Sequence, residues 1–154
     1  MTVRKPGPED KEEVLAMMAE FYRSDAVLRA VPRSNFEKTW ALLLSGERAA
    51  AAYLVEQSGE TAGYALLSLG WSNEAGGLTV WLEEIYIRPQ FRGAGAGRQL
   101  IARVFHDYAD RAVRFRLETE ESNGGARKLY RSLGFRNLPY LQMVVDVPAG
   151  AEKK

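Results

Sequence analysis

The sequence predicts an α/β protein: a mixed, mostly antiparallel sheet of six to seven strands, with about four helices over both faces. Three observations carry this. Strand-like segments in the first half are separated by short turns, as in hairpins. Helical spacing of apolar residues recurs in four segments. From residue 79 onward a strand, a glycine-rich turn and a helix follow one another, and strands then alternate with helices.

In chain order, Thr2 to Lys5 reads as a short strand and Pro6-Gly7-Pro8 as a turn. Val14, Met17, Met18 and Phe21 give helical spacing over residues 9–23, with Glu9 and Asp10 as acids at its start. Residues 24–34 read as a loop or broken helix. Phe36, Trp40, Leu43 and Leu44 mark a second helix. Ala50 to Gln57 and Thr61 to Leu69 form a hairpin around Ser58-Gly59. A turn at 73–77 leads into the strand Leu78 to Ile87. Arg98 to Arg111 is helical, with Leu100, Ile101, Val104, Phe105 and Tyr108 on one face. Ala112 to Thr119 alternates as a strand, Gly124 to Leu133 is a helix, and Leu141 to Val147 is an apolar closing strand. Residues 1–147 are expected to form one domain, with 148–154 a frayed tail.

Composition narrows the function classes. The 154 residues suit a single core, and a net charge of +1 gives no general field for nucleic acid. Cysteine is absent, which excludes disulfides, thiolate zinc sites and a cysteine nucleophile. The single histidine, His106, sits in a helical segment and reads as a solvated residue rather than a metal ligand. No metal is expected. The start Met-Thr-Val-Arg carries no apolar leader pattern, and no run is long enough to span a bilayer, so the expectation is a soluble cytoplasmic protein with no membrane partner.

The richest motif is Arg92-Gly93-Ala94-Gly95-Ala96-Gly97. A glycine turn at a helix start presents unpaired N–H groups and a positive dipole end, an anion site that a phosphate can approach without meeting a Cβ. No Lys and Ser/Thr follow Gly97, so a nucleoside-triphosphate loop does not fit, and the spacing is not that of a dinucleotide fold. A second block follows: Asn123, Ala126, Tyr130, Gly134 and Phe135 in the pattern Asn-x-x-Ala-x-x-x-Tyr-x-x-x-Gly-Phe.

With both blocks in this order and separation, the chain closely resembles the GNAT superfamily of N-acetyltransferases, nearest in pattern to its polyamine and small-amine group. The resemblance implies a GNAT-like fold with a splayed strand pair, here Leu78–Ile87 and Ala112–Thr119. It implies that Arg92, Gly93, Ala94, Gly95, Ala96, Gly97 and Arg98 hold the pyrophosphate of acetyl-CoA. Ile85 and Ile87 would offer backbone groups to pantetheine. Tyr130 would protonate the leaving sulfur, although its spacing also suits a core aromatic. Asn123 fits either a pantetheine contact or the cap of its helix. The segment Leu82-Glu83-Glu84-Ile85-Tyr86-Ile87 is similar to the Leu-Glu-Asp segment of polyamine acetyltransferases, which maps their proposed base to Glu83. Alternation sends Glu83 and Glu84 to opposite faces unless a bulge intervenes, and either can be the base.

Acceptor recognition is expected from Tyr22, Trp71, Glu83 and Glu84, with Trp81, Tyr86 and Tyr140 as further aromatics. Acids at 74, 118, 120 and 121 add negative charge. Carboxylates beside aromatics suit a cationic amine. The reading is thus acetyl transfer from acetyl-CoA to a primary amine, of a small molecule before a protein lysine or N-terminus. A non-catalytic CoA-binding module is the rival. Members of the family are often dimers, and the apolar closing strand leaves room for a homodimer here.

Overall fold

Antiparallel pairing of four strands lays down most of the sheet. The computed structural model describes residues 1–24 and 31–147. Strands β1 (Thr2–Arg4), β2 (Ala50–Gln57), β3 (Glu60–Ser72) and β4 (Gly77–Ile87) pair antiparallel in that order, and β5 (Ala112–Leu117) joins β4 in parallel. Helices α1 (Lys11–Phe21) and α2 (Arg33–Leu44) cover one face. Helices α3 (Ala96–Tyr108) and α4 (Gly124–Ser132) lie against the other.

Period-two alternation divides the strand side chains between two cores. Leu54 and Tyr64 pack with Val14, Leu15, Met17 and Met18 of α1 and with Phe36 and Trp40 of α2. Tyr53, Val55, Leu67, Val80 and Leu82 pack with Leu100, Ile101, Val104 and Tyr108 of α3. The α3 stripe is the one that its apolar spacing predicts.

Ion pairs fix how α1 meets the sheet. Arg4 donates from both terminal nitrogens to Asp10, at 2.7 and 2.8 Å, and also to Glu56. Asp10 is therefore a strand-to-helix clamp, and the Arg4 guanidinium holds its carboxyl below the usual range. Arg88, just past β4, bonds Glu13 and Glu20 of α1, which ties the approach to the glycine loop to that helix. Exposed pairs contribute little, but Arg88 is largely covered and serves two carboxylates.

Three expectations need correction. The sheet has five strands among the described residues, not six to seven. Leu141–Val147 is not a strand: it has strand composition but no ladder partner, and an extended apolar segment without a ladder is not a sheet element. Helix α2 starts at Arg33, inside the segment read as loop, after Pro32 in an extended conformation. Residues 25–30 of that segment, and the tail at 148–154, lie outside the described residues.

One glycine is required by close strand approach. A Cβ on Gly63 would run into the Tyr86 carbonyl oxygen and the Ile87 side chain. Gly63→Ala is expected to lower unfolding free energy by about 1–3 kcal/mol through overpacking. Urea denaturation reads this directly, and an unchanged midpoint would place the two strands farther apart.

Candidate active site

The site begins with a fault in β4. Leu66 of β3 opposes Glu84 while Leu67 opposes Leu82, so Glu83 is an extra residue, a β-bulge. The bulge moves the following side chains to the other face. Val80 and Leu82 belong to the α3 side, whereas Glu84 and Tyr86 turn toward α1 and α2. Both carboxylates consequently share one face. Glu84 accepts from Tyr22 (2.7 Å) and Tyr64, and Glu83 accepts from Ser68, which lies two residues beyond Leu66 on the Tyr64 face of β3.

The two acids differ in environment. Glu84 is buried at 8% exposure, and Glu83 is exposed to the cleft. Burial lifts the Glu84 carboxyl above its usual value; the two tyrosine hydroxyls oppose that lift, and Glu83 adds to it. Burial and the Glu84 acceptor also keep the hydroxyls of Tyr22 and Tyr64 protonated far into alkaline pH.

At the same level β4 and β5 part. Their ladder ends at Leu82–Leu117, and among the described residues β4 continues to Ile87 with no strand paired on that edge. A notch of about 60 Å³ opens there, walled by Leu82, Glu83, Ile85, Leu117, Asn123 and Tyr130 among others. It shares Phe21, Glu83, Leu117 and Tyr130 with a much larger cleft of about 1290 Å³ between β5, α4 and the segment after residue 136.

Tyr130 is set by the end of α4. Gly134 adopts φ +91°, Phe135 N–H donates to the Tyr130 carbonyl and Gly134 N–H to that of Arg131, a Schellman stop. Phe135 then meets the Tyr130 ring edge at 6.0 Å. Burial raises the Tyr130 hydroxyl above its ordinary value, and among the described residues that hydroxyl has no hydrogen-bond partner. Asn123 caps α4 by accepting from the Ala126 amide at 3.1 Å.

Beyond the free edge of β4 lies the glycine loop. Gly93 and Gly95 take φ +81° and +89°, where L side chains are strained, and Gly95 is the N-cap of α3. A Cβ on Gly97 would meet Leu129 at 3.3 Å, so this glycine lets α3 approach α4. The first-turn amides of α3, from Ala96 onward, have no intrahelical acceptor and suit a phosphate. Arg92 donates to the Ile87 carbonyl at 2.9 Å, and Arg98 to Ser132 of α4 at 2.6 Å; both guanidinia stay exposed beside the loop.

The other expected residues divide. Tyr22 lines the cleft; Trp71, at 75% exposure on the far end of β3, does not. Trp81 stacks under Arg116 at 4.3 Å, Tyr86 is buried and donates to Glu20, and Tyr140 lines the cleft while reaching toward Glu74. Residues 118, 120 and 121 line the cleft, whereas Glu74 pairs with Arg114. His106 is an exposed helix residue. Sequence reading missed Tyr64, Ser68 and Phe21. The roles of Tyr64 and Ser68 depend on cross-strand register, and that of Phe21 on how α1 docks on the sheet; no local pattern announces either.

These features place the chain in a family. The model of the acetyltransferase (GNAT) family matches residues 14–135, and the chain belongs to that family. A thialysine N-epsilon-acetyltransferase of Sus scrofa is 38% identical over 63 residues, 40% of this chain and 37% of that protein, so the match spans little more than a third of the relative. A possible acetyltransferase from Clostridium difficile 630 has a TM-score of 0.81 at 17% identity, covering 96% of this chain and 97% of the other. An aminoglycoside N-acetyltransferase in complex with CoA gives 0.75 at 19% identity, covering 94% and 93%. At these identities the structural likeness concerns the fold.

Among the described residues no helix is long and apolar enough to cross a membrane, and no cluster of three metal-ligating side chains forms.

The raised carboxyl of Glu84 has a stability consequence. The folded chain holds this proton more tightly than the unfolded chain. Its contribution is therefore full below the ordinary carboxylate pKa of about 4.3 and is lost as pH rises through the raised value. Relative to Glu84→Gln, the wild type should lose unfolding free energy across that window. Denaturant titrations at successive pH values measure it; a difference independent of pH would contradict a buried carboxyl here.

Proposed function

We propose that this chain is an N-acetyltransferase that uses acetyl-CoA and acetylates a primary amine of a small cationic molecule by direct transfer. The observation that carries the reading is the notch itself. Glu83 and Tyr130, an exposed carboxylate and an unpartnered phenol, line one opening beside the free edge of β4. Family membership supports the chemistry, and the thialysine enzyme supports a small amine as acceptor.

The residues fit the cosubstrate. Gly93 and Gly95 leave the loop without Cβ obstruction, and the α3 amides favour a pyrophosphate. The edge of β4 past Leu82, which no strand pairs and on which Arg92 holds the Ile87 carbonyl, can bond pantetheine amides at Ile85 and Ile87 as a missing strand would. When bound, acetyl-CoA supplies an activated acyl group. Glu83 takes the proton that the amine loses, directly or through water. A β4 amide stabilises the oxygen that gains charge. Tyr130 gives its proton to the departing sulfur and regains one from solvent. Its raised pKa keeps it a donor at neutral pH. Glu84 remains buried, holding Tyr22 at the cleft wall. Asn123 stays the cap of α4 and presents its exposed side to the notch.

Tyr130→Phe should lower kcat about 10²-fold or more with acetyl-CoA affinity little changed. Thiol release measured across a panel of polyamines, amino acids and amino sugars tests this. A kcat equal to wild type removes Tyr130 from the acid role. No release with any amine, peptide lysine or N-terminus, despite acetyl-CoA binding, favours a non-catalytic CoA module. Glu83→Gln should lower kcat/KM while acetyl-CoA binding is kept; an unchanged kcat/KM assigns the base to Glu84 or to water alone. In the loop, Gly95→Val forces a side chain into φ +89° and should abolish acetyl-CoA binding while the circular dichroism spectrum is kept. Retained binding would move the pyrophosphate elsewhere.

A further inference from the structure

The cleft that holds Glu83 also carries a cation. Phe115 and Leu117 of β5 pack toward α3, so alternation turns Arg114 and Arg116 to the other face, the side of Glu83 and Glu84. Of the arginines lining the cleft, Arg114 pairs with Glu74, Arg127 donates to the Glu121 carbonyl, and Arg131 and Arg136 are exposed. Arg116 is half-buried and, among the described residues, pairs with no carboxylate, Glu83 included. Its guanidinium lies 4.3 Å over the Trp81 ring. The ring covers the flat face of the guanidinium and leaves its N–H edge for a planar anion in two-point contact.

Register puts this cation beside the candidate base. Trp81 stands opposite Ser68 on β3 and opposite Arg116 on β5, so the three form one row across the sheet. Glu83 comes two residues after Trp81, and its carboxylate bends back to accept from Ser68 of that row. The carboxylate is thus drawn to the β3 position of the row, and the guanidinium to the β4 position. Adjacent strands lie about 4.8 Å apart, which sets the spacing of the two charged heads on the order of 5 Å. A carboxylate and a guanidinium at that spacing, open to one cleft, are the complement of a zwitterion.

We propose that the cleft takes an α-amino acid, with its carboxylate on Arg116 and its α-amine at Glu83. This rests on the proposed acetyl transfer and narrows its acceptor, the ammonium being the cationic end of the molecule. In an α-amino acid the nitrogen and the carboxylate carbon are two bonds apart, about 2.5 Å. Hydrogen bonds of about 2.8 Å then carry both ends to their partners. An amine at the tip of a long side chain stands too far from its own carboxylate to span this pair without folding back. A polyamine brings no anion and sets a second ammonium against Arg116. An amino sugar or a protein lysine leaves the guanidinium unpaired. In the transfer the amide N–C bond forms as the C–S bond of the thioester breaks. The ammonium loses two protons: one leaves through Glu83, and the other balances the proton gained by sulfur.

Thiol release with acetyl-CoA tests this over the protein α-amino acids, each beside its α-carboxamide, and over polyamines, amino sugars and a peptide lysine. The wild type should use at least one amino acid with kcat/KM about 10²-fold above its carboxamide, and the product's nuclear magnetic resonance spectrum should place the acetyl group on the α-nitrogen. Arg116→Gln should raise KM for that amino acid about 10²-fold with kcat little changed, and leave the carboxamide as it was, which also shows the variant folded. Arg116→Glu should turn the preference toward a short diamine. Calorimetric titration of the same amino acids into the complex with CoA reads the anchor without turnover. Saturable binding that Arg116→Gln removes upholds it even where no amine is acetylated, a result that would sink the catalytic reading alone. Turnover of polyamines, amino sugars or peptide lysine with acid and carboxamide used alike overturns the proposal and leaves the acetyltransferase in place. Acetylation at a side-chain nitrogen overturns it, as does the absence of both turnover and binding for every α-amino acid.

Discussion

The bulge at Glu83 is the constraint on which the rest of the site depends. One extra residue in β4 turns the strand over between Leu82 and Glu84. It puts both carboxylates on the α1–α2 face, where Tyr22, Tyr64 and Ser68 receive them. The increased local twist that a bulge brings coincides with the point where β5 stops following β4. A straight β4 would keep its ladder to β5, bury its edge and place one acid among the aliphatic residues facing α3. The notch, the free edge and the acid pair are three results of one local irregularity.

Supporting interactions hold this fault in place. Glu84 is buried with two phenol donors, so desolvation and hydrogen bonding oppose one another instead of leaving an orphaned charge. Arg88 fastens α1 to the end of β4. The Schellman stop of α4 and the Tyr130–Phe135 contact set the opposite wall. The glycine loop needs positive φ at Gly93 and Gly95 for its turn and a small residue at Gly97 for packing against Leu129. Gly97 thus serves the core, and Gly93 and Gly95 shape the turn that we propose holds the pyrophosphate.

Much of this was legible in the residue pattern, and the reasons are local. The α3 stripe, the hairpin at Ser58-Gly59, the glycine loop and the capping Asn123 each depend on residues close in sequence. That Glu83 and Glu84 share one face was not legible, because a bulge is a relation between two strands. Tyr64 and Ser68 stayed hidden for the same reason: their partners lie 20 and 15 positions away. Trp71 has the composition of a binding aromatic but sits at the open end of a hairpin, away from the cleft. Leu141–Val147 has the apolar content of a strand, yet strandhood requires an edge to pair with, and a single chain's sequence does not say where that edge is.

The central claim is that the loop at Gly93–Gly97 and the notch beside β4 form one acetyl-CoA site. Isothermal titration of acetyl-CoA into the purified protein, with ATP and NAD as controls, tests it most directly. The account predicts selective, saturable binding in the micromolar range, about −8 kcal/mol, that neither control reproduces. Absence of heat and of saturation with acetyl-CoA, or equal binding of ATP, would contradict it.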